Sequence, residues 1–197
     1  MKICVISDTH AHRISDLPPA LISVLKKVDI IVHLGDYDTI ELVTELKKLG
    51  NFWGVTGNHD FAKIRAVLPA TDILEVNGKR LGLVHGHGSS MPRGLQKGLR
   101  ARFNGQKLDA ILYGHTHVTR SRMVEDILYF NPGSAAGRFP AYRRSYGILT
   151  VDGTIKAEIF PIISQRNPSV LLSRAPAAIA RQLAAPRRAF YRAVALW

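Results

Sequence analysis

The chain runs to 197 residues, 46% of them hydrophobic, and carries a net charge of +12. That is enough apolar material for one sizeable core, with no demand for a second full domain. A single cysteine rules out a disulfide framework. No run approaches the roughly 18 consecutive apolar residues of a membrane span, and Met1-Lys2-Ile3 leads into an apolar run rather than a signal peptide, so a cytoplasmic protein is expected.

Residues 3–7 form the first apolar run, and residues 30–34, 52–56 and 110–113 repeat it, the pattern of strands buried on both faces. Between the first two, residues 17–28 predict a helix, opened by Ser15-Asp16 and by prolines that a first turn tolerates. Residues 39–49 predict a second helix, stopped by Gly50. The resulting βαβαβ order implies parallel strands. After a short helix near 61–67 the pattern changes, because residues 73–76 and 80–84 flank Asn77-Gly78, a strong two-residue hairpin signal. A basic helix over about 92–103 leads to the strand at 110–113. Strands around 120–124, 127–131, 146–151 and 155–161 follow, with Asp152-Gly153 as a further hairpin turn. The expected fold class is α/β, a mixed β-sandwich with helices outside. The expected domains are 1–163 and a basic extension, 164–197, in which Pro168, Pro176 and Pro186 leave two short helices at 177–185 and 187–197.

Five apolar runs each stop at residues able to bind a metal: Asp8-Thr9-His10, Asp36, Asn58-His59-Asp60, His85-Gly86-His87 and His115-Thr116-His117. An α/β sheet assembles its chemistry beyond the carboxyl ends of its strands, so five such ends predict one two-metal site. Oxygen and nitrogen donors without thiolate suit two divalent ions drawn from Mn²⁺, Ni²⁺, Fe, Zn²⁺ and Mg²⁺. Asp8 and His10, two residues apart at an extended strand end, project to the same side and grip one ion together. Asp36 is the natural bridge, since one carboxylate has lone pairs enough for two cations. Asn58, His85 and His115 complete the second ion, and His117 returns to the first. Two ions about 3.5–4 Å apart clamp the attacking and leaving oxygens of an in-line displacement at phosphorus. Gly35, Gly57, Gly86 and Gly114 let the backbone approach the ions closely.

In these residues the sequence resembles the calcineurin-like metallophosphoesterases, in their small bacterial and archaeal phosphodiesterase branch. That family's pattern is D-x-H, G-D, G-N-H-[DE], H and G-H-x-H in order. Here it reads Asp8-Thr9-His10, Gly35-Asp36, Gly57-Asn58-His59-Asp60, His85 and Gly114-His115-Thr116-His117. The resemblance covers residues 1 to about 161, including Asn131-Pro132-Gly133-Ser134, similar to a turn near the family's site. It implies a four-layer αββα sandwich and a dinuclear centre that hydrolyses phosphodiesters by attack of a metal-bridging hydroxide. It also implies that His59 is catalytic rather than a ligand, stabilising or protonating the departing oxygen.

The neighbouring residues have plainer readings. His33, inside a buried strand, reads as a core histidine or a partner of a ligand. His12 is a candidate substrate contact. His87 contends with His85 for the ligand role, which the family pattern gives to His85. Asp60 is expected to orient His59 or cap the following helix. Cys4 reads as a small buried side chain. Tyr37, Arg65, residues 89–102 and Arg138 are the expected pocket walls.

The charge is uneven: residues 1–158 hold all 15 acids and 21 of the 27 basic residues, leaving six arginines and no acid beyond. Clusters at Arg93, Lys97, Arg100, Arg102 and Lys107, and at Arg138, Arg143 and Arg144, set up fields that attract phosphate, nucleic acid or anionic membrane. A nuclease is therefore an alternative, disfavoured because no length between Gly57 and Gly114 is spare for the cap of the related repair nucleases. A catalytically silent scaffold, like the retromer subunit that resembles this fold, is countered by the intact His10, His59 and His117. A small phosphodiester is the expected partner, a homo-oligomer stays open, and the tail is expected to dock on protein in preference to membrane.

Overall fold

The computed structural model describes residues 1–89, 94–141 and 143–163. In chain order, β1 (Lys2–Ile6), α1 (Pro19–Leu25), β2 (Ile30–His33), α2 (Ile40–Leu49), β3 (Phe52–Gly54) and α3 (Ala62–Arg65) make the predicted βαβαβ start. They are followed by β4 (Thr71–Val76), β5 (Lys79–Val84), α4 (Leu95–Ala101), β6 (Ala110–Tyr113), β7 (Arg120–Val124), β8 (Ile127–Asn131), β9 (Ser145–Asp152) and β10 (Thr154–Pro161). Two five-stranded sheets result, ordered β10-β9-β1-β2-β3 and β4-β5-β6-β8-β7. Each has a parallel heart: β1 with β2 and β3 in one, β5 with β6 and β8 in the other.

Strand alternation sorts the apolar residues into three cores. Ile3 and Val5 face inward and meet Leu81, Leu83, Leu112 and Phe130 of the second sheet. Cys4 and Ile6 point outward to Leu21 and Leu25 of α1 and Leu42 and Leu46 of α2. On the second sheet, Ile111, Tyr113 and Tyr129 pack on Leu95 and Leu99 of α4. The layers are therefore helices, sheet, sheet, helix, the expected αββα sandwich. Each fully buried Leu or Ile contributes about 1.5–3 kcal/mol, which makes the double burial of the central strands the main stabilising element. Cys4 lies wholly inside, and burial pushes its thiol up to about 12, so it is an inert core residue as expected.

Local signals account for several boundaries. Thr39 caps α2 by accepting from the Leu42 N–H, and Gly50 ends it. Asn77 and Gly78 take φ of 48° and 73°, both left-handed, as a two-residue hairpin demands. The helix expected over 17–28 is shorter, a 3₁₀ turn at Ile14–Asp16 and then α1. Consecutive Pro18 and Pro19 account for its later start, since the residue before a proline is disfavoured in the helical region. The hairpin joining β7 to β8 turns on Glu125 and Asp126 with φ of 47° and 62°, without a glycine. The helix expected over 92–103 is α4, and residues 90–93 lie outside the described residues, as does 164–197 with its two expected helices. Among the described residues no helix is long and apolar enough to cross a membrane.

Candidate metal centre

The carboxyl ends of the parallel strands β1, β2, β5 and β6, with the loop after β3, deliver Asp8, His10, Asp36, Asn58, His85, His115 and His117 to one place. The loops after β1 and β2 brace each other: Asp8, His10 and Ala11 donate their N–H groups to the carbonyls of Gly35, Asp36 and Tyr37 at 3.0, 3.1 and 3.0 Å. Asp8, His10, Asp36, His115 and His117 all adopt left-handed φ, from 43° to 64°. Strand alternation is therefore not what aligns Asp8 with His10, because β1 has ended at Ile6 and both residues sit in a turn. Such conformations cost of order 1 kcal/mol or more each and persist where the surroundings enforce them, characteristically at functional sites.

Three imidazoles are aimed in the same manner. His85 Nδ1 is 2.6 Å from the Leu34 carbonyl oxygen, which can only accept, so Nδ1 carries the proton and Nε2 is left facing inward. His117 Nδ1 is likewise 3.1 Å from the carbonyls of both Arg138 and Phe139, and His10 Nδ1 is 3.0 Å from Asp38 Oδ1. The free Nε2 atoms then meet carboxylates. Asp36 Oδ2 lies 3.8 Å from His10 Nε2 and 3.4 Å from His85 Nε2. Asp8 Oδ1 lies 3.2 Å from His117 Nε2 and 3.9 Å from His85 Nε2. Two sets of donor atoms, Asp8 with His10 and His117 and Asp8 with Asp36 and His85, fall within 4.8 Å of one another and can each hold a metal ion. Asn58 Oδ1 is 3.0 Å from His85 Nε2, and the His115 ring is 5.2 Å from that of His85. Asp8 Oδ1 is fully buried yet has no hydrogen-bond partner, a position a cation would satisfy. The donor set, oxygen and imidazole nitrogen without thiolate, fits hard or borderline divalent ions.

The electrostatics show the same demand for positive charge. Burial works against ionisation of Asp36, but the His85 imidazole, the His59 N–H and His10 overcome it and hold the carboxyl well below the usual range. Burial likewise opposes a charged His85, yet Asp36 and Asp8 raise its pKa. The Asp8 carboxylate beside its Nε2 raises His117. His115 is lowered, by burial and by the neighbouring His85.

Close approach explains two of the glycines. A Cβ on Gly57 would collide with the Asp36 carboxylate and lie 2.6 Å from its backbone nitrogen; one on Gly114 would collide with Ser7 and lie 2.9 Å from Asp8 Oδ2. At the end of β8, Asn131 donates to the Gly114 carbonyl and Thr116 Oγ1, and Ser134 Oγ donates to the Asp8 carbonyl at 3.1 Å. The Asn131-Pro132-Gly133-Ser134 turn thus braces both ends of the centre.

Several expectations are corrected. Asp60 neither orients His59 nor caps α3, whose N-cap is Phe61 without a side-chain bond. Its buried carboxylate accepts the backbone N–H groups of Asp36, Tyr37 and Gly57 at 3.0, 2.7 and 2.7 Å and ties the two loops together. Tyr37 is no pocket wall: it is wholly buried and stacks on His33 with ring centroids 3.8 Å apart. Its hydroxyl donates to the His33 carbonyl. His33 is the satisfied core histidine foreseen, taking the Gly35 N–H on Nδ1 and bonding Thr9 Oγ1 through Nε2, with burial driving its pKa well below the ordinary value. Asp38 was not foreseen. Its neighbourhood to Asp36 was the only available signal, and its partnership with His10 depends on the fold.

The fold and the centre define a metallophosphoesterase architecture, and the calcineurin-like phosphoesterase superfamily domain matches residues 1–154. The chain belongs to that superfamily. It is similar to a probable metallophosphoesterase of Methanocaldococcus jannaschii, 37% identical over 164 residues, with 82% of each chain covered. A phosphodiesterase of the same archaeon is 27% identical, covering 70% of this chain and 86% of that one. Among solved structures, wild-type Vps29 of Entamoeba histolytica complexed with zinc is similar at a TM-score of 0.64 and 25% identity, over 82% of this chain and 99% of that chain.

Proposed function

We propose that the protein hydrolyses phosphodiester bonds at a centre of two divalent ions. Asp8, His10 and His117 would hold one, Asn58, His85 and His115 would hold the other, and Asp36 would serve both. The observation that carries this reading is the common aim of three Nε2 atoms at two buried carboxylates, one with an oxygen that no protein group satisfies. When bound, such ions supply a nucleophile from water at neutral pH and neutralise charge on the phosphoryl oxygens.

The chain's own residues do the rest. Asp36 Oδ1 accepts the His59 N–H at 2.9 Å, which leaves Oδ2 turned toward His10 and His85. The same bond places the exposed His59 side chain beside the centre, its ring 5.5 Å from that of His10. There His59 in its imidazolium form can give a ring proton to the departing oxygen, so that an alcohol leaves rather than an alkoxide and the ring is left as neutral imidazole. Arg65 donates to the Asn58 carbonyl at 3.3 Å and so lies next to the same loop. Residues 1–163 constitute the catalytic domain in this reading.

Chelated protein should fail to hydrolyse a chromogenic diester, and Mn²⁺ or Ni²⁺ should restore turnover. Full activity after exhaustive chelation contradicts the proposal, and folded, metal-loaded protein that turns over no diester or monoester favours a silent scaffold.

A further inference from the structure

Two cavities open on either side of the His115-Thr116-His117 loop, and they differ in kind. One, of about 410 Å³, reaches from His115 over Leu95, Tyr113 and Val118, with Arg120 at its margin. The other, of about 370 Å³, begins at His117 and includes Thr119, Arg143, Arg144 and Ser145. Val118 and Pro140 border both, so two adjoining seats lie next to the centre, one reached from His115 and one from His117. A phosphodiester has two arms, and a phosphorus held at the centre directs one to each side.

The second seat is cationic. Arg143 and Arg144 line it and no acidic residue does; among the described residues neither arginine forms an ion pair with a carboxylate. Arg144 spends Nε on the Ala136 carbonyl at 3.1 Å, which fixes the guanidinium and leaves both Nη groups to donate. Nearby Arg138 differs, because Asp38 lies 3.9 Å from it and offsets its charge. Each guanidinium on the rim of this cavity, free of a carboxylate ion pair among the described residues, presents the forked N–H donors that match phosphate oxygens. The first seat carries a single arginine, Arg120, and offers Leu95, Tyr113 and Val118 to a planar or apolar group.

We infer that the preferred substrate is a phosphodiester carrying a second phosphate on one arm, seated by Arg143 and Arg144 in the cavity beside His117. This rests on the phosphodiesterase reading and adds a substrate class to it. The second phosphate gains charge-assisted hydrogen bonds in both the bound and reacting states, so its effect appears mainly in KM.

The test compares thymidine 5′-(p-nitrophenyl phosphate) with the same ester bearing a 3′-phosphate. The bisphosphorylated ester should show kcat/KM at least about tenfold higher, the effect of one good charge-assisted bond. In an Arg143→Gln/Arg144→Gln variant the ratio should fall to near one, and Arg144→Lys should retain part of it. Reading a ratio cancels any general loss of activity. A second readout, calorimetric binding of thymidine 3′,5′-bisphosphate against thymidine 5′-phosphate to metal-loaded protein, needs no turnover and should show the same preference and the same loss. Equal kcat/KM and equal affinities in the wild type, or a preference that survives the double substitution, overturn the inference while leaving diester hydrolysis standing. Selective bisphosphate binding without cleavage of either ester retains the anion seat but overturns the substrate assignment together with the phosphodiesterase reading it rests on.

Discussion

Replacing Asp60 by Asn should show how the centre is held together, because Asp60 touches none of the proposed ligand side chains. It is 2% exposed, and its two oxygens take three backbone N–H groups, from Asp36, Tyr37 and Gly57. In Asp60→Asn the amide oxygen can keep the place of Oδ2 and accept from Asp36 and Gly57. The amide nitrogen then faces the Tyr37 N–H, donor against donor, and a buried N–H left without a partner costs about 1–3 kcal/mol. The two surviving bonds fall from charged to neutral strength, losing about 1 kcal/mol each. The predicted loss is about 3–5 kcal/mol, a large share of the 5–15 kcal/mol typical of a domain. Urea unfolding of chelated wild type and variant measures it directly. The same bonds fix the backbone of Asp36, so metal affinity should also fall, about 10–100-fold, as it does when outer partners of metal ligands are removed. A destabilisation below about 1 kcal/mol with unchanged metal affinity refutes the reasoning, since only surface changes are usually so mild.

His59→Ala should lose about 10²–10⁴ in rate while keeping near-normal metal content, and esters with good leaving groups should suffer least; equal losses across leaving groups of widely different pKa contradict proton donation. Metal affinity should fall as pH falls: the pKa values of His85 and His117 are raised, so both take up protons at higher pH than an ordinary histidine, and an ion must displace those protons. Each such proton costs about tenfold in affinity per pH unit below the folded pKa, whereas Asp36, held low, stays ionised and adds no dependence near neutrality. Calorimetric titration in buffers of different ionisation heat reads the protons released, and a pH-independent affinity counts against the assignment. Truncation after Ile163 should leave diester hydrolysis nearly intact, because every proposed ligand lies between Asp8 and His117; a folded truncate without activity places part of the machinery in 164–197.

The convergence of these side chains was legible because the proposed ligands stand at strand ends, and strand ends follow from short apolar runs. The runs containing Ile3, Ile31 and Leu112 are continuous for a reason visible only as layers: each strand lies between a helix layer and the opposite sheet, so both alternating faces are apolar. The Asn77-Gly78 turn was legible from its residue types, and the Glu125-Asp126 turn was not, since Glu rarely takes left-handed backbone and no glycine follows the Asp. At Asp8, His10 and Asp36 the residue types tolerate left-handed backbone without requiring it, so they did not announce it. Spacing suggested that Asp8 and His10 act together, but the cause is turn geometry enforced by the Gly35 and Asp36 carbonyls rather than strand alternation. Asp38 and Asp60 escaped correct reading because their partners, an imidazole 28 residues away and three backbone amides, are set by tertiary structure.

The most direct test of the dinuclear centre is metal analysis of purified protein, with calorimetric titration of Mn²⁺ into chelated wild type and Asp36→Ala. The account predicts two ions per wild-type chain, activity that rises with occupancy, and loss of both ions and turnover together in Asp36→Ala. Stoichiometric metal and full rate in that variant would contradict it.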